Sequence, residues 1–288
     1  MENQTKEIEQ VEWKPGIHKG VSEEVYHETF PGVSHHDLLS FEISPAHLVY
    51  AKATHSEQTD AMKLGSALHC ALLEPERFAE KYVGLPEDYD GRKKMGIALK
   101  QGLLEQGFKE ENILKHNDML TIHSIRASIF QDKVVRALFD NNDGTEITLF
   151  WQDKETGIFC RGRVDLIATK YGVGLDLKSA QRGEARSSRF TREIETRLYY
   201  RQAAHYLDGM RALGLDVNKF LFLVVEKVGP FAHRVFELSQ DFLAIGRAEN
   251  RSLLNAYAEC LDADKWPAYP DTIEMISPSP YLQNKVTA

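Results

Sequence analysis

The sequence predicts an α/β fold in which one central mixed sheet is flanked by helices, and three observations carry that reading. Between residues 145 and 180 the chain reads TEITLFWQD, IFCRGRVDLIAT and GVGLDLKSA, β-branched and aromatic runs set off by the turn signals NNDG, KETG and KYG. Segments with apolar residues at helical spacing lie on both sides of these runs. With 288 residues, 42% of them hydrophobic and 27% charged, the chain can bury a sizeable core and is too apolar for wholesale disorder.

Taken in order, residues 1–15 are polar without apolar period and are expected to be a flexible tail, leaving 16–288 as a single domain. Ser34 and Ser44 are placed to cap two short helices between residues 32 and 53, with Pro45 at a first helical position. A helix over 60–73 lines up Leu64, Ala67, Leu68, Ala71 and Leu72 and stops before Pro75. Residues 80–96 read as a long exposed loop, followed by helices near 96–106 and 116–140. The three strand-like runs should pair antiparallel. One helix over about 193–213, two strands (KFLFLVVEK and AHRVFEL, turned at VGP) and a helix over 239–261 complete the core. The end, WPAYPDTIEMISPSPYL, holds four of the ten prolines and is expected to form an extended surface strap. There is no internal repeat of solenoid period.

The 35 basic and 43 acidic residues give a formal charge of −8, which argues against a protein that coats nucleic acid nonspecifically and requires any DNA contact to be local. Cys70, Cys160 and Cys260 lie too far apart for a disulfide framework or a zinc knuckle, and three cysteines cannot hold a four-cysteine iron–sulfur cluster. The polar, acidic start and the lack of a long apolar window lead to the expectation of a soluble cytoplasmic protein.

The chemistry concentrates in GRVDLIATKYGVGLDLKSA. Asp176 and Lys178 are two apart on a strand and share a face, and the turn near Tyr171 and Gly172 folds Asp165 back toward Asp176. Two carboxylates without thiolate partners favour a hard ion such as Mg²⁺ or Mn²⁺, and such a site suits phosphodiester hydrolysis with Lys178 acting on the water or the transition state. Asp176 and Lys178 could equally be an ordinary solvated strand pair.

Four ordered motifs narrow the choice: GSALHCALLEP with His69, GRVDLI with Asp165, DLKSA with Asp176 and Lys178, and YYRQAAHYLDG with Gln202 and Tyr206. In this order they resemble the PD-(D/E)XK nuclease superfamily and its RecB-like group. The stretches GVSEEVYHETFPGVSHHDLLSFEISPAHL and WQDKETGIFCRGRVDLI are similar to the nuclease domain of RecE-type exonuclease VIII. One departure is Val164, which stands where the family often has proline before the first acid. The resemblance implies a Mg²⁺-dependent exodeoxyribonuclease, with Mn²⁺ able to substitute, that degrades one strand of linear duplex DNA 5′ to 3′ and leaves 3′ overhangs. It also implies about two ions per site, a RecT-type single-strand annealing partner and a ring-shaped homo-oligomer, a tetramer by preference. Carried over by position, Asp165, Asp176, the Leu177 carbonyl and His69 match metal ligands, and Lys178 the catalytic lysine. Glu146, on the preceding strand, is a candidate for a second ion. Gln202 and Tyr206 share a helix face and are candidates to present an amide and a phenol to the active centre or to bind the DNA backbone, with helix packing against the sheet as the alternative. Between Lys178 and Arg201 seven basic residues face three acidic ones, which makes Arg182 and Arg186 further DNA-binding candidates. A catalytically silent DNA-end clamp, or a loading platform for a recombination partner, is the alternative function.

Overall fold

The computed structural model describes residues 13–54 and 59–278, so most of the expected tail and the last ten residues of the strap region lie outside the described residues. Chain order is β1 (Gly16–His18), α1 (Glu23–Glu28), α2 (His35–Ile43), α3 (Pro45–Ala53), α4 (Asp60–Leu73), α5 (Pro75–Lys81), β2 (Val83–Gly84) and α6 (Lys94–Glu105). Then come β3 (Ile113–Leu114), α7 (His116–Ile129), α8 (Lys133–Asp140), β4 (Gly144–Gln152), β5 (Phe159–Ala168) and β6 (Val173–Ala180). The chain finishes with α9 (Ser187–Thr196), α10 (Tyr199–Ala212), β7 (Lys219–Glu226), β8 (His233–Glu237) and α11 (Gln240–Ala263).

Six strands form one sheet in the order β1-β4-β5-β6-β7-β8, while β2 and β3 make a separate two-stranded pair. Every neighbour in the large sheet is antiparallel except β6 and β7, which the crossover through α9 and α10 forces to run parallel. The α/β class is therefore as the patterning predicts. One face of the sheet packs Ile147, Leu149, Val164, Phe220 and Phe222 against α9, α10 and α11; the other packs Leu166, Leu175, Leu177 and Leu223 against α4, α7 and α8. Strands buried on both faces read as continuous apolar runs, which is why FLFLVV in β7 shows no alternation.

Local chemistry explains most boundaries. Ser34 and Asp37 cap α2 reciprocally, Ser44 caps α3 with Pro45 in the first turn, and Ser239 caps α11. Three expectations need correction. The stretch 116–140 is two helices, because Asp132 accepts the N–H groups of Val134 and Val135 at 2.7 and 3.2 Å and starts α8 afresh. The stretch 193–213 is also two helices, broken where Leu198 adopts φ 56°. The loop at 80–96 contains β2 and the start of α6. After α11 the strap has no regular structure through residue 278, and it touches α3 through a bond from Ala46 N–H to Pro267 O of 3.1 Å. Among the described residues no helix is long and apolar enough to cross a membrane.

Helix α10 approaches the sheet so closely at Gly209 that an added Cβ would stand 2.6 Å from the Trp151 ring. Gly209→Ala is expected to destabilise the fold by about 1–3 kcal/mol through overpacking, read as a lower midpoint in urea with unchanged slope. An unchanged midpoint would mean that the helix and strand can separate freely there.

Candidate metal centre

The sheet forks at the site. Strands β5 and β6 pair only over Leu166–Ala168 with Val173–Leu175, and beyond that row they diverge. At the far end of the gap Val33 takes the place of β6, giving its N–H to Phe159 O at 2.8 Å and accepting from Arg161 N–H at 2.9 Å. In the fork itself the N–H of Leu177 goes to Asp165 Oδ2 at 2.6 Å instead of a strand partner. In an extended strand the N–H and C=O of one residue point to the same side, so the Leu177 carbonyl also faces the fork.

Alternation breaks at the same row. Val164 and Leu166 pack into opposite cores although two apart, which leaves Asp165 at the bend. Glu146 stands across from it in the β4 register, between the pairs Thr145–Leu166 and Ile147–Val164, and has the left-handed φ of 50°. A non-glycine residue held in that region stores strain that the surrounding sheet must impose. From the next layer α4 contributes His69, whose Nδ1 lies 3.5 Å from Asp165 Oδ2. One ligand atom each from His69, Glu146 and Asp165 thus falls within 4.8 Å of the others.

Asp176 and Lys178 lie one step away on the α10 side. Lys178 Nζ is 2.8 Å from Asp176 Oδ2 and donates to Gln202 Oε1 at 3.0 Å. Gln202 Nε2 in turn donates to Asp176 Oδ1 at 2.9 Å and to the Tyr206 hydroxyl at 3.2 Å. The amide therefore bridges ammonium and carboxylate, a job that needs one donor and one acceptor on the same side chain. Gln202 and Tyr206, read from sequence as candidates for DNA contact, are each 6% exposed and turn inward. Gln202 meets the Asp176–Lys178 pair, as the active-centre reading expects, and Tyr206 reaches that pair only through Gln202. Asp176, expected among the metal ligands, is not in the three-residue cluster; Lys178 and Gln202 occupy its carboxylate.

Two residues escaped the sequence reading. Tyr199 presents its ring 4.2 Å from Lys178 Nζ, and Arg163 Nε lies 4.0 Å from Glu146 Oε2. Tyr199 reaches Lys178 because the break at Leu198 restarts the helix there, a signal that residue spacing did not carry. The aromatic face holds the ammonium by cation–π attraction. Tyr199→Leu is expected to lower turnover about tenfold with little change in KM, whereas Tyr199→Phe, which keeps the ring, should stay within about twofold of the parent. Equal losses in the two variants would assign the effect to the hydroxyl.

The charges are strained by one another. Burial, then the neighbouring Asp176, push the Asp165 carboxyl well above the usual carboxylate range. Burial, followed by the charge of Asp165, lifts Glu146 to about 7. Burial lowers His69, against the pull of Asp176 and Glu146, so its imidazole is neutral with a lone pair free at pH 7. Burial works against the Lys178 ammonium, but Asp176 and Tyr199 outweigh it and keep the group charged. Two carboxylates and a neutral imidazole crowded together fit a hard divalent cation, whose charge would offset the burial and mutual repulsion that raise both acids.

The expected basic segment narrows. Arg197 pairs with Glu193 at 2.6 Å, and Arg201 is buried and bound to Glu42 at 2.7 Å and to Glu249. Arg182 and Arg186 remain exposed on the loop after β6.

Comparison with known proteins agrees with this architecture. The model of a family described as a PDDEXK-like domain of unknown function (DUF3799) matches residues 34–278. Among solved structures, a crystal structure named "Putative exonuclease" from Eubacterium rectale superposes with a TM-score of 0.54 at 12% identity, covering 93% of this chain and 96% of that one. At that identity the likeness speaks for the fold. A search of curated proteins finds no match.

Proposed function

This chain belongs to the PDDEXK-like family (DUF3799), and from that premise we propose that it is a metal-dependent nuclease that cuts the phosphodiester backbone of DNA. The observation that carries the reading is the fork, where His69, Glu146 and Asp165 converge beside a lysine already held by Asp176, Gln202 and Tyr199. His69, Asp165, Glu146 and the Leu177 carbonyl would hold Mg²⁺ or Mn²⁺, while Asp176, a ligand by the family resemblance, holds Lys178 beside them. A bound ion at such a site supplies charge for the phosphoryl oxygen and a lowered pKa for the attacking water. Lys178, fixed and charged, orients that water or neutralises the transition state. Gln202 keeps Lys178 and Asp176 in register, and Tyr206 anchors Gln202.

In its finer form the reading is an exodeoxyribonuclease that resects linear duplex 5′ to 3′, leaves 3′ overhangs for a single-strand annealing partner of RecT type, and works as a ring, tetrameric by preference. The sequence resemblance to RecE-type nucleases supports it; the name of the Eubacterium rectale structure goes only as far as an exonuclease. A ring also suits a chain of net charge −8 with one focused basic segment between Lys178 and Arg201.

The test is a digestion of linear duplex labelled at either the 5′ or the 3′ end, with Mg²⁺ and with EDTA. Release of 5′ label that EDTA stops is the expected result. Binding of duplex ends without any metal-dependent release would make the protein a silent clamp. Light scattering counts the subunits, and a monomer that stops after a few nucleotides when challenged with excess unlabelled duplex would remove the ring.

A further inference from the structure

Lys178 lies two residues before the end of β6, and the loop that follows is unusually well anchored. Gly183 and Ala185 give their N–H groups to Oε1 of the buried Glu226 at 2.8 and 3.2 Å, and Gln181 gives its own to Glu184 Oε2 at 2.6 Å. Gly183 turns the chain at φ 82°, and Arg186 Nε closes the turn on Gly183 O at 2.9 Å. This pinned loop and the first turns of α9 enclose a recess of about 200 Å³ lined by Arg182, Arg186, Arg189 and Arg192 together with Glu184 and Glu193.

Of the two acids, Glu193 is paired with Arg197, while Glu184 accepts the Gln181 N–H and keeps its charge, so four guanidiniums surround one unpaired carboxylate and the recess stays net positive. None of the four arginines makes an ion pair among the described residues, whereas Arg77, Arg161, Arg163, Arg201, Arg211, Arg247 and Arg251 all face a carboxylate. Four like charges held around one recess repel each other unless an anion sits among them. Guanidinium forks match phosphate oxygens, and a rigid loop loses little entropy on binding them.

We propose that this recess is a phosphodiester-binding site that grips the DNA backbone beside the metal centre and carries most of the chain's affinity for duplex. The proposal rests on the nuclease reading for its ligand but not for its geometry. Because the contacts are to phosphate, the grip reads no bases, so it positions any duplex by charge and the sequence of the DNA is immaterial. It also gives an acidic chain a place to hold a polyanion: the −8 is overall, and four arginines without an ion pair gather at this one recess.

The test is fluorescence anisotropy of a labelled duplex in EDTA, so that no cleavage occurs, across a series of NaCl concentrations. The double variant Arg189→Gln, Arg192→Gln removes two exposed guanidiniums that make no internal bond, and Lys52→Gln on the far α3 serves as control. The slope of log affinity against log salt is expected to fall by about 2 in the double variant, at about 0.9 per phosphate contact, with affinity down about tenfold at low salt and the control unchanged. Full thermal stability of the variant, checked in parallel, keeps the result a matter of binding. An unchanged slope in a protein whose parent cleaves DNA would overturn the recess and leave the nuclease standing. A parent that never cleaves but loses duplex in the double variant would overturn the nuclease and leave the recess. Displacement of duplex by inorganic phosphate at constant ionic strength would show a small-anion site and overturn the proposal.

Discussion

Asp165→Asn should lose metal affinity and cleavage together, whereas Lys178→Met should lose cleavage and keep its metal. Asp165 touches both halves of the site: its Oδ2 takes the Leu177 N–H at 2.6 Å and stands 3.5 Å from His69 Nδ1. An asparagine there can still accept the Leu177 bond, so the fork keeps its shape while the anionic ligand is gone. Metal affinity is expected to fall by about a hundredfold or more and cleavage by about a thousandfold. Lys178 has no lone pair to offer when charged, and methionine retains its apolar stem between Tyr199 and Phe222. Its loss should cost about 10²–10³ in turnover, the size seen when one group facing developing charge is removed. Calorimetric titration with Mg²⁺ or Mn²⁺ separates the two variants. Equal loss of metal binding in both would make Lys178 a part of the metal shell and undo the division of roles.

The second large effect is on stability. Glu146 titrates near 7 in the folded chain against 4.5 for an ordinary glutamate, with burial as the main cause and Asp165 next. A carboxylate raised in this way favours the folded state while protonated, so the contribution is complete below about pH 4.5 and is lost as pH climbs through 7. The difference corresponds to about 3 kcal/mol for a side chain that is 21% exposed. The metal-free protein should therefore lose melting temperature between pH 5 and pH 8, and Mg²⁺ should restore it in the upper part of that range by binding the folded state. Metal affinity itself should fall as the solution is acidified below about 7, by about tenfold per unit for one proton displaced. Glu146→Gln should be the more stable protein at pH 8 without metal and should gain less from Mg²⁺. A variant with the same pH profile as the parent would show that Glu146 is already charged and paired, most directly with Arg163 at 4.0 Å.

Much of the molecule was legible before any coordinates. Short-range rules govern caps and turns, so Ser34, Ser44, Pro45 and the stop before Pro75 read correctly from residue type alone. Period two marks strands and period 3.6 marks helices, and both survive in any context where one face is buried. The candidate ligands His69 and Asp165 were likewise nameable from the ordered motifs, and Glu146, expected at a second ion, from its place on the neighbouring strand.

Residue order alone therefore carries the α/β class, the place of most elements and the candidate side chains of the site. Tertiary structure decided which of those side chains meet. Asp176 reads as a metal ligand by spacing, yet its carboxylate goes to Lys178 and Gln202, since strand period fixes a face but not the neighbour that α10 brings to it. Glu146 reads as a candidate for a second ion or an exposed acid, yet the left-handed turn of its backbone and the fork between β5 and β6 set it against Asp165 and His69 in one cluster. The split at Leu198, the ring of Tyr199 over Lys178 and the inward Gln202 all depend on how two helices cross one sheet. Contacts of that kind join residues far apart in the chain, and local propensity and periodicity carry information only about residues a few positions apart.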